Sequence, residues 1–242
     1  MKLILLFSLS FILGNNLSFG NVYLITYFTY SGHTGHSGIA IDKYDFIIRD
    51  TIIDEKVTSV LDTVQSEGIV YYDFWPKVDH FDLYKITHYI DGEVFKINSF
   101  RNKELTLNDI AFYGIPHKKG RPCDAIVSMK TTYEDDMAIL KYLDSLVSAV
   151  PQFHGIKNNC SDFVRNSFER ILNKKVNAFE KLLFIKFTTP NELYSVIVRQ
   201  QENSRILKFP KVPENGKFLT ERILHRYLVK FKILNPHKNQ IL

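Results

Sequence analysis

Hydrophobic and polar positions alternate with a period of two residues over much of the chain before residue 100, a pattern typical of β-strands. The alternation predicts strands over 21–29, 36–42, 46–53, 68–75 and 94–97. Lys43, Tyr44 and Asp45 interrupt it and are expected to form a turn between the second strand and the third. The first half of the chain is therefore expected to be mainly antiparallel β.

After residue 105 the apolar positions recur every three or four residues, which predicts amphipathic helices. Thr106 is expected to cap a short helix, and Thr131 with Glu134 has the spacing of a capping box before a second one. Asn159 precedes a third helix, and Pro190 lies near the start of a fourth. A last helix is predicted from an apolar stripe at Leu219, Ile223, Leu224, Tyr227, Leu228 and Phe231.

These elements predict an α+β fold, with helices packed on an antiparallel sheet and a helical C-terminal extension. One domain is expected over 21–200, followed by a basic extension over 201–242. A domain of this size buries a full core. The apolar content of 45% and the aromatic content of 14% argue against a disordered chain.

The N-terminus has the pattern of a secretory signal peptide. An apolar run over 3–13 follows Lys2, and two small residues separated by one position, Ser18 and Gly20, end the segment. The run is too short for a membrane span, which needs roughly 20 apolar residues. We expect cleavage after Gly20 and a secreted or periplasmic protein; an uncleaved anchor or a buried N-terminal strand is the alternative.

The net charge of +5 is concentrated in the extension. The residues before 201 are close to neutral, which argues against nucleic-acid binding across the main domain. The extension is expected to stay solvated or to meet an anionic surface. Its predicted helix, within 219–234, either docks on the domain or makes a peripheral membrane contact. A monomer is expected.

Two cysteines remain after the leader, Cys123 and Cys160. In an oxidising compartment they could form a disulfide, but a domain of this size does not need one to fold. A free, reactive thiol is the alternative. Cys123 follows a basic turn but has neither a helix start nor a neighbouring histidine, so a disulfide or a plain loop position is expected for it.

Cys160 has the position that cysteine chemistry requires. It directly follows the predicted N-cap Asn159, and the unpaired N–H groups and dipole of a helix start stabilise a thiolate. A cysteine nucleophile also needs an imidazole to take and return its proton. His36 opens a strand, with small residues at Gly38 and Ala40 on its own face, and is the candidate base.

The phrase His36-Ser37-Gly38-Ile39-Ala40-Ile41, upstream of Asn159-Cys160-Ser161-Asp162-Phe163-Val164, resembles the circularly permuted NlpC/P60 papain-like enzymes, including the lecithin:retinol acyltransferase-like proteins. The histidine strand precedes the cysteine helix here, as in the permuted branch. The resemblance implies a permuted papain-like fold, a cysteine nucleophile, a histidine base and a third residue that orients the imidazole. Such enzymes hydrolyse amides or peptides, or transfer acyl groups between lipids.

The third residue departs from the acyltransferase-like pattern, which has a second histidine twelve residues after the first. Ile48 occupies that position, which weakens the expectation of lipid acyl transfer. Asp50, on the neighbouring predicted strand, is expected to orient His36. Asp42 and Asp45 are alternatives.

A zinc site built from His33, His36, His154 and Cys160 is disfavoured, because the two nearby histidines lie in a glycine-rich loop rather than on a helix. No metal or cofactor is expected. The sequence predicts an exported cysteine peptidase or amidase that acts on a peptide or cell-wall peptide, with Cys160 as nucleophile and His36 as base. The alternative is a catalytically silent papain-like domain that binds at the cell envelope.

Overall fold

An antiparallel sheet of six strands forms the centre of the protein in the computed structural model, which describes residues 19–29, 35–53, 56–78, 87–115, 117, 122–182, 185–200 and 204–208. The strands are β1 Phe19–Tyr27, β2 His36–Ile53, β3 Lys56–Pro76, β4 Gly92–Ile97, β5 Ser99–Phe100, β6 Lys103–Glu104, β7 Ala125–Thr132, β8 Glu180–Leu182, β9 Ile185–Phe187 and β10 Ser204–Lys208. The sheet order is β10-β7-β1-β2-β3-β4. Two small hairpins, β5–β6 and β8–β9, lie outside it.

Four helices lie within the described residues: α1 Leu107–Tyr113, α2 Tyr133–Ser148, α3 Cys160–Leu172 and α4 Pro190–Gln200. Thr106 and Asn159 cap α1 and α3, as their sequence patterns predict. The predicted capping box of Thr131 with Glu134 is wrong by one residue. Thr132, the last residue of β7, caps α2 and accepts from the Asp135 N–H.

The sheet is covered by apolar side chains on both faces. One face packs against α2, α3 and α4 through residues such as Ile39, Leu143 and Phe168, which are at most 3% exposed. The other face packs against α1 and the segments around it, with Tyr71 and Ile110 fully buried. Helices on a large antiparallel sheet confirm the predicted α+β class.

The predicted turn at residues 43–45 is wrong. β2 continues to Ile53 with a shift of register between Asp42 and Tyr44, so the interruption in the pattern is a bulge. Beyond the bulge, residues 44–53 of β2 and 56–65 of β3 pair with each other and, among the described residues, with no other strand; we call this two-stranded segment the arm. One face of the arm carries exposed apolar side chains, between 62% and 74% accessible, at Phe46, Ile48, Ile52 and Val57.

Two strands of the sheet were not predicted. The central strand β7 is apolar at successive positions and runs directly into α2, so it lacks the alternation that marks β1 and β2. β10 pairs with β7, so the domain extends to Lys208, beyond the predicted boundary at residue 200.

At the other end of the domain, β1 includes Phe19 and Gly20 of the predicted leader. Residues 1–18 and the predicted helix within 219–234 lie outside the described residues. No helix in the described part of the chain is long and apolar enough to span a membrane.

Candidate active site

The start of α3 is held rigidly by Asn159. Its side-chain oxygen accepts from the N–H groups of Ser161 at 2.8 Å and Asp162 at 3.0 Å. The Asp162 carboxylate in turn accepts from the Asn159 N–H at 3.2 Å, which closes a capping box. The Asn159 amide also donates to the Thr188 carbonyl at 3.1 Å. Cys160 is therefore the first residue of a helix whose N-terminus is anchored on two sides.

The first residues of β2 meet this helix start. The hydroxyl groups of Ser37 and Ser161 lie 3.0 Å apart and are buried, so they join strand to helix directly. The backbone N–H of Ser37 and the His36 ring lie close enough to the Cys160 sulfur for both to lower the pKa of the thiol. The structure thus brings together the predicted nucleophile and the predicted base, which are far apart in sequence.

The His36 ring is oriented by Asp73 of β3. The Asp73 Oδ2 atom lies 3.1 Å from His36 Nε2, which leaves Nδ1 to face the sulfur. Asp73 is fully buried, and the same Oδ2 accepts from the Trp75 indole at 2.8 Å and the Tyr71 hydroxyl at 3.0 Å. These contacts at one oxygen hold the carboxylate, and with it the His36 ring, in a fixed orientation.

Gly38 leaves room for the Tyr71 side chain beside the Asp73 carboxylate. It pairs with Asp73 across β2 and β3, and a Cβ atom at Gly38 would collide with the Tyr71 side chain. The Tyr71 hydroxyl could not then occupy its place beside the carboxylate. A residue without a side chain is therefore needed at position 38, because the Tyr71 ring occupies the adjacent space.

Two further side chains that the sequence analysis did not single out for catalysis complete the site. The Trp75 ring stacks on His36, with centroids 4.2 Å apart and planes at 26°. His117 approaches the other oxygen of Asp73, with Nε2 at 3.5 Å from Oδ1, and stacks on Phe95 with centroids 3.7 Å apart. Asp73 therefore lies between two imidazoles.

The electrostatics favour a thiolate and an imidazolium. Burial alone would lower the pKa of His36, but the Cys160 thiolate and the Asp73 carboxylate outweigh it and raise that pKa to about 9. Burial alone would raise the pKa of Cys160, but the His36 imidazolium and the hydrogen bonds from Ser37 and Ser161 lower it. The two groups titrate as a coupled pair, which favours transfer of the thiol proton to His36.

The structure does not bring Asp50 to this site. Asp50 lies in the exposed arm, opposite Ser59, whose hydroxyl donates to it at 2.6 Å. Asp45 is exposed in the same arm, and Asp42 binds Tyr23 rather than His36. The expectation that Asp50 orients His36 depended on the mistaken turn at residues 43–45, and Asp73 has that position instead.

The other cysteine has a different environment. Cys123 and Cys160 are both free thiols, and no disulfide joins them. Cys123 is buried, and its burial, only partly offset by the ammonium group of Lys208, raises its pKa to about 11. Cys123 is therefore protonated at neutral pH, and a thiol in that state is a poor nucleophile.

His154, weighed for zinc together with His36 and Cys160, is engaged elsewhere. His154 uses Nδ1 to accept from the N–H groups of Ile156 and Lys157, at 3.1 and 3.3 Å, and packs against Tyr89. His33 lies outside the described residues. Within the described ranges no three His, Cys, Asp or Glu side chains are grouped so that they could hold a metal ion.

Comparisons with protein-family models, with curated proteins and with solved structures return no match for this chain. The class of site described here is a chain of a half-buried thiol, a buried imidazole and a buried carboxylate at a helix N-terminus.

Proposed function

We propose that the protein is an exported cysteine hydrolase of the permuted papain-like class, which cleaves an amide bond in a peptide or cell-wall peptide. The observation that carries the proposal is the contact of Cys160 with His36, and of His36 with the buried carboxylate of Asp73. A nucleophile, a base and a group that orients the base are the three parts that such a reaction requires. Export rests on the predicted leader.

The reaction begins from the thiolate and imidazolium. The sulfur attacks the carbonyl carbon, and the negative charge moves to the carbonyl oxygen. The N–H of Cys160 opens α3 and has no partner within the helix, so it is available to stabilise that oxygen. His36 gives its proton to the leaving nitrogen, the C–N bond breaks, and an acyl-enzyme thioester remains.

The second half of the reaction reverses these roles. The neutral His36 takes a proton from a water molecule, which attacks the thioester carbonyl. The C–S bond breaks, the carboxylic acid leaves, and the thiolate and imidazolium are restored. Asp73 keeps the ring in one orientation during both steps, and the stacked Trp75 limits its rotation.

The order of the elements supports the permuted papain-like class. β2 carries His36 and comes before α3, which carries Cys160, and the two meet at one end of an antiparallel sheet. The site is therefore formed by a strand start and a helix start that the sheet topology brings together. The histidine strand also precedes the cysteine helix in the permuted enzymes that the two sequence motifs resemble.

The test compares the two cysteines of the same chain. Exported protein is assayed against peptides, cell-wall peptides and lipid esters, and its thiols are labelled with iodoacetamide at pH 7. We expect amide hydrolysis that Cys160→Ala abolishes and that Cys123→Ser retains. Cys160 should label at least about tenfold faster than an unperturbed thiol.

Other outcomes would contradict parts of the proposal. Hydrolysis of lipid esters alone would replace the amide substrate with an acyl lipid. A folded protein with no hydrolysis of any of these substrates and ordinary labelling of Cys160 would instead indicate the silent binding module.

A further inference from the structure

Two buried carboxylates lie beside the start of β1, at Gly20 and Asn21. Asp42 is 2% exposed and Asp136 is fully buried. Within the part of the chain that the structure describes, no lysine, arginine or histidine forms an ion pair with either one. A buried carboxylate without a cation is costly, so this pair is unusual.

Asn21 supplies two of the hydrogen bonds that the Asp42 carboxylate accepts. The Asn21 backbone nitrogen donates to Asp42 Oδ2 at 2.8 Å, and its side-chain amide donates to the same atom at 3.0 Å. Gln65 donates to Oδ2 at 2.6 Å and the Tyr23 hydroxyl donates to Oδ1 at 2.7 Å. All four donors are neutral while Asn21 remains joined to Gly20.

Asp136 lies on the other side of the same junction. It accepts from the Thr131 hydroxyl at 2.5 Å and from the Tyr44 hydroxyl. Gly20 packs directly on this pair, because a Cβ atom there would collide with Tyr44 and with the Asp136 carboxylate. The peptide bond between Gly20 and Asn21 therefore runs between two acids.

We propose that the α-amino group of Asn21, released when the leader is cleaved after Gly20, is the cation that neutralises this acidic pair in the mature protein. Water hydrolyses the peptide bond: the Gly20 carbonyl carbon takes the hydroxyl group, the C–N bond breaks, and the Asn21 nitrogen takes the remaining proton of the water. The proton of the new Gly20 carboxylic acid then makes the amine an ammonium group. That nitrogen already lies at ion-pair distance from Asp42. The inference rests on the predicted leader and not on the proposed hydrolase activity.

The titration of the two acids agrees with a missing cation. Burial raises the pKa of Asp42, although its hydrogen bonds to Tyr23 and Asn21 oppose the shift. Burial, with the nearby charge of Asp42, raises the pKa of Asp136 to about 6 despite its hydrogen bonds to Thr131 and Tyr44. An ammonium group between the two would favour both charged forms.

Cleavage is compatible with the sheet. It removes the pairing of Phe19 and Gly20 with Thr132 and Thr131, but the pairing of β1 with β7 from Asn21 to Thr26 remains. The pairing with β2 starts at Val22 and is not affected. The strand therefore keeps its register when it begins at Asn21, and the amine stays beside Asp42.

The experiment uses full-length protein exported by a bacterial host and isolated from the medium or periplasm. Mass spectrometry of the intact protein and its N-terminal peptide is expected to show a chain that starts at Asn21. The α-amine is then titrated by competitive acetylation over a pH series, in the folded protein and in guanidinium chloride. We expect a pKa about one unit or more above the ordinary value of roughly 8 in the folded state only.

Two variants separate the ion pair from simple shielding of the amine. Asp42→Asn keeps an acceptor and should return the pKa of the amine to its unfolded value. Asp45→Asn, an exposed acid three residues further along, is the matched control and should leave that pKa raised.

Three results would overturn the proposal: a mature chain that starts elsewhere, an amine whose pKa is the same folded and unfolded, or a pKa that Asp42→Asn leaves raised. The comparison of folded with unfolded wild-type protein remains decisive if Asp42→Asn does not fold. Iodoacetamide labelling of Cys160 reports separately on the hydrolase proposal.

Discussion

The carboxylate of Asp73 contributes to the charge state of the candidate site, after the larger effect of the Cys160 thiolate on His36. It is buried, and imidazoles approach both of its oxygens, His36 at 3.1 Å and His117 at 3.5 Å. Because the local environment excludes water, its charge acts on His36 with little screening. The basicity of His36, and through it the acidity of Cys160, therefore depends on this residue.

Asp73→Asn is expected to make Cys160 a weaker acid. Without the negative charge His36 holds its proton less firmly, so the thiolate loses part of its stabilisation. We expect the apparent pKa of the thiol to rise by about one unit and its alkylation at pH 7 to slow about tenfold. The pH dependence of iodoacetamide labelling measures both.

Asp50→Asn is the matched control, because Asp50 is exposed in the arm and binds Ser59. It should leave the labelling profile unchanged. A loss of reactivity in Asp50→Asn, with none in Asp73→Asn, would reverse the assignment of the orienting residue.

The rate of hydrolysis is expected to have a bell-shaped pH dependence. The acid limb marks formation of the Cys160 thiolate, whose pKa is lowered below the ordinary thiol value of 9.0. The alkaline limb marks loss of the His36 proton, whose pKa is raised to about 9, because the leaving nitrogen needs that proton. The activity should therefore fall as the pH rises above about 9.

Alkylation distinguishes the two limbs, since it needs the thiolate but no proton donor. In wild-type protein the rate of alkylation should increase with pH over the acid limb and should not fall above pH 9. In His36→Ala the acid limb should move up towards the ordinary thiol value. Alkylation that follows the same pH curve in wild type and His36→Ala would show that the imidazole does not activate the thiol.

Among the elements, α3 was the most predictable because its signals are local. Asn159 and Asp162 stand at capping-box spacing, and the apolar positions that follow lie on one side of the helix. The position of Asp73 was not predictable in the same way, because it depends on which residues of β2 and β3 face each other. A turn centred on Tyr44 sets Asp50 opposite Gly38, whereas the bulge and the longer hairpin set Asp73 there.

A signal for Asp73 was nevertheless present in the sequence. Tyr71, Asp73 and Trp75 alternate on one face of a strand that is otherwise aromatic and β-branched. A carboxylate in such a strand must be buried with partners, which marks it as a candidate for a charged site.

Loss of the Asn159 side chain is expected to affect both stability and reactivity. Asn159→Ala leaves the N–H groups of Ser161 and Asp162 without their acceptor and removes the link to Thr188. We expect a loss of about 1–2 kcal/mol in the free energy of unfolding, measured by urea titration. Because the helix start positions the sulfur, labelling of Cys160 should slow as well.

A substitution at the N-cap of α2 serves as the control for Asn159→Ala. Thr132→Ala removes an exposed cap from Asp135, for a cost of about 1 kcal/mol, and should leave Cys160 labelling unchanged. Equal effects of the two substitutions on labelling would indicate a general loosening of the fold instead of a role for the α3 start.

For the whole molecule, the α+β class could be predicted, whereas the complete sheet could not. The periodicities of two and of three to four residues separate strands from helices along most of the chain. β7 and β10 were missed because a buried central strand lacks alternation and a short edge strand is defined mainly by its partner. β10 extends the domain at its C-terminal side, into the first residues of the basic extension.

The extension is expected to stabilise the domain. Its predicted helix has an apolar stripe, from Leu219 to Phe231, opposite Arg222, Arg226 and Lys230, and such stripes are usually buried. Deletion of 216–242 should lower the melting temperature and leave binding to anionic vesicles unchanged. An unchanged melting temperature with loss of salt-sensitive vesicle binding would instead identify a membrane anchor.

The separation of the two thiols has a consequence for the lifetime of the active protein. A thiolate attacked by peroxide becomes a sulfenic acid, which is rescued when a nearby thiol condenses with it. Cys123 is buried beside Lys208 and protonated at neutral pH, so it does not serve as that resolving thiol. Under peroxide, Cys160 is then expected to progress to the irreversible sulfinic acid unless a small thiol or a reductase from the surroundings intervenes, and the proposed activity should decay with exposure.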